Sequence, residues 1–202
     1  MIDRVVTSGT FTLDGQSFDV DNNIWVVGDA DEVFVIDAAH DAAPIVDCVA
    51  GRTVVAILAT HGHNDHVNVA TELADLLGAP VLIHPDDLML WAVVSPDREP
   101  DGLLAEGERL RAGNVDLQVL HTPGHSPGGC CFYDETAGVV FSGDTLFKGG
   151  PGATGRSYSD HDTIVRSITA ELMALPDVTV VHTGHGDSTT IGAERANLTG
   201  SA

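Results

Sequence analysis

Thr60-His61-Gly62-His63-Asn64-Asp65-His66 places three imidazoles and one carboxylate within six consecutive residues. The stretch follows the apolar run Val54-Val55-Ala56-Ile57-Leu58-Ala59, which reads as a buried strand. The cluster therefore sits where a strand runs out into a loop. In an extended or turning segment, His61 and His63 face one way while Asp65 and His66 face another. One short peptide can then serve two adjacent metal ions. Imidazole plus carboxylate, without thiolate, suits zinc, iron or manganese.

On the N-terminal side, short β-type segments dominate: Val5 to Leu13, Phe18 to Val20, Asn23 to Val27 and Glu32 to Ile36, separated by Asp-Gly and Gly-Asp pairs as in hairpins. Ala42 to Ala50 reads as a helix. Past the motif, apolar spacing predicts a helix over Val67 to Leu77, ended by Gly78, then a strand over Val81 to Ile83 and a helix over Asp86 to Val93. Ser95 to Gly107 is polar and reads as a surface loop. A second β series covers Arg109 to Arg111, Val115 to His121, Gly128 to Tyr133 and Gly138 to Ser142. A Gly-rich loop, Lys148 to Gly155, leads to a helix over Thr163 to Leu175. A strand over Val178 to Val181 and a closing helix over Ile191 to Asn197 follow. Two halves, each pairing a sheet with outer helices, predict an α/β (α+β) chain folded as a four-layer αββα sandwich in a single domain over residues 1–202.

The 202 residues carry a formal charge of −21, and Lys148 is the only lysine. Such a surface repels phosphate backbones and anionic lipid, which argues against nucleic-acid or membrane partners. No apolar run is long enough to span a membrane, and no secretion signal is evident. Cys48, Cys130 and Cys131 form no disulfide framework; free thiols fit a cytoplasmic protein. Cys130 and Cys131 lie in a β-like run and read as small buried apolar residues rather than nucleophiles.

Three more ligand-capable residues fall in glycine-containing turns at strand ends: His125 in Thr122-Pro123-Gly124-His125-Ser126-Pro127-Gly128, Asp144 in Phe141-Ser142-Gly143-Asp144-Thr145-Leu146-Phe147, and His185 in His182-Thr183-Gly184-His185-Gly186. Strand ends on one sheet edge are where α/β folds gather functional groups. Asp37, ending the strand Val33 to Ile36, is placed to hydrogen-bond a ligand histidine. His40, His84, His121, His161 and His182 are expected not to be ligands.

At this point the chain resembles the metallo-β-lactamase superfamily, on His61-Gly62-His63-Asn64-Asp65-His66 followed by His125, Asp144 and His185 in that order. Within it, Thr122 to Gly128, Gly143 to Phe147, Gly155-Arg156 and Gly184-His185-Gly186 look most like the glyoxalase II group. The tail Ile191-Gly192-Ala193-Glu194-Arg195 resembles its short, single-domain bacterial members. The resemblance implies the αββα fold and two divalent metal ions, with zinc expected and iron or manganese compatible. His61, His63 and His125 would hold one ion, Asp65, His66 and His185 the other, and Asp144 would bridge them.

It further implies hydrolysis of a hydroxyacyl thioester, an S-lactoyl-thiol, by a metal-bridging hydroxide, with Asp65 orienting the water and Asp144 fixing the metal pair as the catalytic carboxylates. Arg156, Tyr158 and Lys148 resemble residues that grip the thiol carrier of a small-molecule substrate. Full-length glyoxalase II has an additional helical domain, which is not expected within these 202 residues, and this leaves the carrier thiol open. The alternatives are a persulfide dioxygenase with a single iron and a lactonase.

Overall fold

The computed structural model describes the backbone of residues 1–200 and the side chains of residues 1–197. The chain opens with a long hairpin, β1 (Ile2–Leu13) and β2 (Gln16–Gly28), joined at Asp14-Gly15. Both turn residues have positive φ, 53° and 72°, as a tight two-residue hairpin turn requires. β3 (Glu32–Ile36), α1 (Ala42–Val49), β4 (Thr53–Leu58), α2 (Asn64–Val67), α3 (Ala70–Leu77), β5 (Val81–Ile83), α4 (Leu88–Val94) and β6 (Gly102–Leu103) complete the first half. The second half contains β7 (Arg109–Ala112), β8 (Val115–His121), β9 (Cys130–Asp134), β10 (Val139–Gly143), β11 (Leu146–Phe147), β12 (Gly150–Pro151), α5 (His161–Ser167), β13 (Val180–Thr183), β14 (Thr189–Thr190) and α6 (Ile191–Gly200).

Two six-stranded sheets result, ordered β1-β2-β3-β4-β5-β6 and β14-β13-β10-β9-β8-β7. Strand alternation decides how they pack. In β2 and β3, Trp25, Val27, Phe34 and Ile36 face Leu117, Val119, Phe132 and Phe141 of the other sheet. The intervening Ile24, Val26, Val33 and Val35 turn outward against Ile45 and Val49 of α1, Leu73 of α3 and Trp91 of α4. In the second sheet, Leu120, Val140 and Val181 pack against Ile164, Ile168 and Leu172 of α5 and its extension. The αββα sandwich is therefore the fold. A fully buried ring such as Phe132 or Phe141 contributes roughly 1.5–3 kcal/mol.

Four local expectations shift. Phe18 to Val20 and Asn23 to Val27 belong to one strand, because β1 pairs with β2 from Ile2↔Val27 to Leu13↔Gln16 straight through the polar Asp21-Asn22-Asn23. The helix expected over Val67 to Leu77 breaks into α2 and α3, because Asn68 Oδ1 accepts from His40 N (2.7 Å) and Val69 N donates to Ala38 O (3.2 Å). The loop Ser95 to Gly107 contains β6, which extends the first sheet beside β5. The helix expected over Thr163 to Leu175 starts earlier, at His161, where Asp160 caps it by accepting from Thr163 N at 2.7 Å, and widens to a π-turn at Ile168–Leu172.

Candidate metal centre

β3 and β4 run parallel, as do β10 and β13. Their carboxyl ends deliver Asp37, Thr60–His61, Asp144 and Gly184–His185 to one edge of the sandwich. His61 and His63 lie on the extended exit from β4; Asp65 and His66 occupy the single turn of α2. His125 arrives on the turn after β8. The edge is tightly folded. A Cβ on Gly143 (φ 47°) would stand 2.5 Å from Thr60 Oγ1, and one on Gly184 would stand 2.4 Å from Asp144 Oδ1.

All seven residues expected as ligands converge. His61 Nε2 lies 3.0 Å from His63 Nδ1, and His63 Nδ1 lies 3.1 Å from His125 Nε2. His66 Nε2 and His185 Nε2 are 3.3 Å apart, with Asp65 Oδ2 at 3.6 and 3.4 Å from them. Asp144 reaches both groups: Oδ1 stands 3.4 Å from His66, and Oδ2 stands 3.4 Å from His185 and 3.6 Å from His125. Two nitrogens on one tetrahedral zinc stand ~3.3 Å apart, given Zn–N bonds of ~2.0–2.1 Å. The observed separations fit a shared ion.

The outer nitrogens fix the tautomers. Nδ1–H of His125 donates to Ala153 O at 2.8 Å, that of His185 to Asp21 O at 2.8 Å, and that of His66 to Asp37 Oδ2 at 2.8 Å. Each leaves an Nε2 lone pair aimed at the centre. Asp37 also accepts from Thr60 N (2.8 Å) and Thr60 Oγ1 (3.0 Å). Its φ of 63° costs roughly 1–3 kcal/mol, a strain tolerated where the surroundings over-determine it.

The fit to metal rests on what is left unpartnered. Among the described residues, four buried side-chain atoms lack a hydrogen bond, and three are His63 Nε2, Asp65 Oδ1 and Asp144 Oδ1. His63 turns Nδ1, not Nε2, to the cluster, and its ring lies beside that of Phe11 (centroids 5.3 Å apart). The two carboxylate oxygens belong to the cluster, and desolvating them without a partner is costly. Cations at the centre would satisfy both.

The electrostatics divide the centre in two. Burial, reinforced by the neighbouring imidazoles, pushes His61 well below the usual histidine range and His63 down to about 3. Burial opposes protonation of His66 and His185 as well. There the carboxylates win: Asp144, Asp37 and Asp65 raise His66 well above its usual value, and Asp144 chiefly lifts His185 to about 10. Burial would raise Asp144, but His66 and His185 outweigh it and hold its carboxyl well below the usual range. His61 and His63 present neutral imidazoles, and His66 and His185 belong to an ion-paired group whose protons a dication displaces.

Sequence reasoning missed several contributors. Asn22 Nδ2 donates to Asp65 Oδ2 (3.4 Å) from a strand that carries no motif. Asn64 joins the motif to the hairpin, accepting from Thr12 N at 2.8 Å and donating to Thr10 O at 2.7 Å. This sets Phe11 and Phe18, a register pair, on the wall of a cavity of about 230 Å³ opening on the centre. Arg156 lines the same cavity, its guanidinium 4.7 Å from the Phe18 ring centroid and 5.6 Å from that of Phe11. Lys148 lies in an adjoining groove, paired with Asp187 at 3.0 Å. Tyr158 is exposed and does not line the cavity.

Two further features reduce the candidates. His84, Asp86 and His121 bring ligand-capable atoms within 4.8 Å of one another, but the two rings stack 14° from parallel with centroids 4.0 Å apart. Lone pairs lying in near-parallel planes do not meet at one ion, and His121 Nε2–H donates to Pro127 O at 2.9 Å. Cys130 and Cys131 are buried, and burial pushes the first thiol well up and the second to about 11. Neither is poised as a thiolate.

A sandwich whose strand ends gather a three-histidine group and an aspartate-histidine group around a shared aspartate defines a metal-binding enzyme of the hydrolase type. The chain belongs to the metallo-beta-lactamase superfamily, whose family model matches residues 18–185. It is similar to an uncharacterized protein of Aquifex aeolicus, 40% identical over 187 residues covering 86% of this chain and 89% of that one. It is similar also to the hydroxyacylglutathione hydrolase GloC of Haemophilus influenzae, 34% identical over 152 residues covering 69% and 72%. Among solved structures, TTHA1623 in a di-iron-bound form superposes with a TM-score of 0.81 at 34% identity, covering 88% of this chain and 94% of that one. No helix among the described residues is long and apolar enough to cross a membrane.

Proposed function

We propose that this protein hydrolyses a hydroxyacyl thioester of a small thiol, using two divalent metal ions held by His61, His63 and His125 on one side, Asp65, His66 and His185 on the other, and Asp144 between them. The observation that carries this reading is the convergence of those seven side chains around two unpartnered carboxylate oxygens at the floor of a cavity. The similarity to GloC favours a thioester over other acyl substrates. Zinc suits the donor set, and the di-iron form of TTHA1623 keeps iron beside it. The free thiols suit work in the cytoplasm.

Bound there, the ions supply a hydroxide at neutral pH and a Lewis acid for the carbonyl oxygen. The chain's own residues do the rest. Asp65 orients the attacking water and accepts its proton. Asp37 keeps His66 in its Nδ1–H tautomer. Phe11 and Phe18 wall the cavity against bulk water, and Arg156, held beside their rings and by Gln16 Oε1 at 3.0 Å, offers a cation to an anionic thiol carrier. A thiolate leaves without a general acid, and no protein nucleophile is called for.

The test is hydrolysis of S-D-lactoylglutathione, a homoserine lactone and a β-lactam by protein stripped of metal and then reloaded with zinc or iron. The reading predicts metal-dependent cleavage with the thioester preferred by kcat/KM. Preference for either other substrate overturns it.

A further inference from the structure

Asp87 is a fully buried carboxylate outside the metal centre and outside the cavity. It sits where a short 3₁₀ turn, Pro85–Asp87, passes into α4. Among the described residues its hydrogen-bond partners are three donors from two other segments. Oδ2 accepts from Gly62 N at 2.8 Å and from Ser126 Oγ at 2.7 Å, and Oδ1 accepts from Gly128 N at 2.6 Å. Gly62 separates His61 from His63. Ser126 follows His125, and Gly128 closes the same turn.

Both glycines are shaped by this contact. A Cβ on Gly62 would stand 3.0 Å from Asp87 O and 2.8 Å from Leu90 Cβ, and one on Gly128 would stand 2.7 Å from Asp87 N and 2.8 Å from its Cγ. Neither has the positive φ that would otherwise call for glycine. They are needed because Asp87, backbone and side chain together, and at Gly62 also Leu90, approach that closely.

A buried carboxylate is expensive unless its hydrogen bonds are met. Among the described residues they are met by the two loops that carry His61, His63 and His125. The other triad has its own carboxylate, Asp37, which holds Thr60 N and the His66 ring. We propose that Asp87 is a positioning residue that ties these two loops together and so preorganises the three-histidine site before an ion arrives. The role rests on the reading that His61, His63 and His125 hold one ion, and it does not depend on which substrate is cleaved.

The division of labour makes the test selective. In metal-free full-length protein, hydrogen exchange is followed at the Gly62 and Gly128 amides, with the Thr60 amide, held by Asp37, as internal reference. The same protein is titrated with Zn²⁺ against a chelating indicator. Asp87→Ala is expected to speed exchange at Gly62 and Gly128 while sparing Thr60. It is expected to weaken one of the two zinc steps about 10–100-fold, the size typical of residues that orient ligands, and to move the other less than about 3-fold. Ser126→Ala removes one donor and is expected to act in the same direction, more weakly. Should Asp87→Ala fail to fold, Asp87→Asn keeps the volume but turns an amide N–H₂ against at least one of the three donors, and its readouts replace those of the alanine variant.

Equal weakening of both zinc steps, or unchanged exchange at Gly62 and Gly128, overturns the proposal and leaves Asp87 with a purely structural role. Wild-type protein that takes up two ions yet cleaves no thioester overturns the proposed substrate while leaving the Asp87 result standing.

Discussion

Asp144 is the side chain on which both halves of the centre depend, and Asp144→Ala is the sharpest perturbation of it. One oxygen stands 3.4 Å from His66 Nε2; the other stands 3.4 Å from His185 and 3.6 Å from His125. Partners that only orient a metal ligand change affinity or activity about 10–100-fold. A carboxylate whose own oxygens reach both groups acts more directly, so the expected loss is at least ~100-fold, or about 2.7 kcal/mol. Asp144→Asn, which keeps the shape and removes the charge, is expected to lose nearly as much, because one neutral oxygen cannot serve both sides. Metal analysis after dialysis against a chelator, paired with turnover on the same sample, separates ion loss from misfolding. Both variants are expected to retain the fold by circular dichroism, lose the metal pair and turn over at least ~100-fold more slowly. Full metal content with an unchanged rate would refute the assignment of Asp144 and the bridging geometry with it.

Other outcomes follow from neighbouring features. Arg156→Ala removes the cavity's cation and should raise KM about 10-fold or more while kcat changes little, since a hydrogen bond to a charged group contributes about 1.5–3 kcal/mol; an unchanged KM with a collapsed kcat would place Arg156 in the chemical step instead. Cys130→Ala and Cys131→Ala should leave turnover largely intact, and collapse of the rate in a folded variant would reopen thiolate chemistry. His182 is packed against Trp25 (centroids 4.3 Å) and held down to about 4 by burial and then by Arg4. The folded state therefore resists its protonation, so its contribution is complete above about 6.5 and is lost as pH falls toward about 4. In metal-free protein, His182→Gln should lose less melting temperature than wild type between pH 7 and pH 5, and an equal or larger loss would contradict that environment.

The fold was legible because its central strands are short apolar runs bounded by glycine and aspartate turns, and α1 and α3 each carry one apolar face. The centre was legible because its residues announce themselves by type: histidine and aspartate beside glycine, at the ends of β-type runs. What stayed hidden acts through long-range backbone contacts and has no motif. Asp87 reads as one more acid of an acidic chain until the fold brings Gly62 and Gly128 against it. Asn22 lies in a polar stretch that suggested a break between strands, yet the ladder with β1 runs through it and turns it toward Asp65. Asn64 is silent within the motif because its partners, Thr10 and Thr12, lie more than fifty residues away. Phe11 and Phe18 reach the cavity only through the register of the hairpin. Tyr158 shows the opposite error: closeness to Arg156 in sequence does not bring it to the cavity wall.

The most direct test of the whole account is one preparation of metal-analysed protein given S-D-lactoylglutathione and, separately, glutathione persulfide, with thiol release and oxygen uptake both recorded. The account predicts thiol release that disappears on chelation and returns with two equivalents of metal, and no oxygen uptake. Oxygen uptake without thiol release, supported by a single iron, would contradict it and make the protein a persulfide dioxygenase.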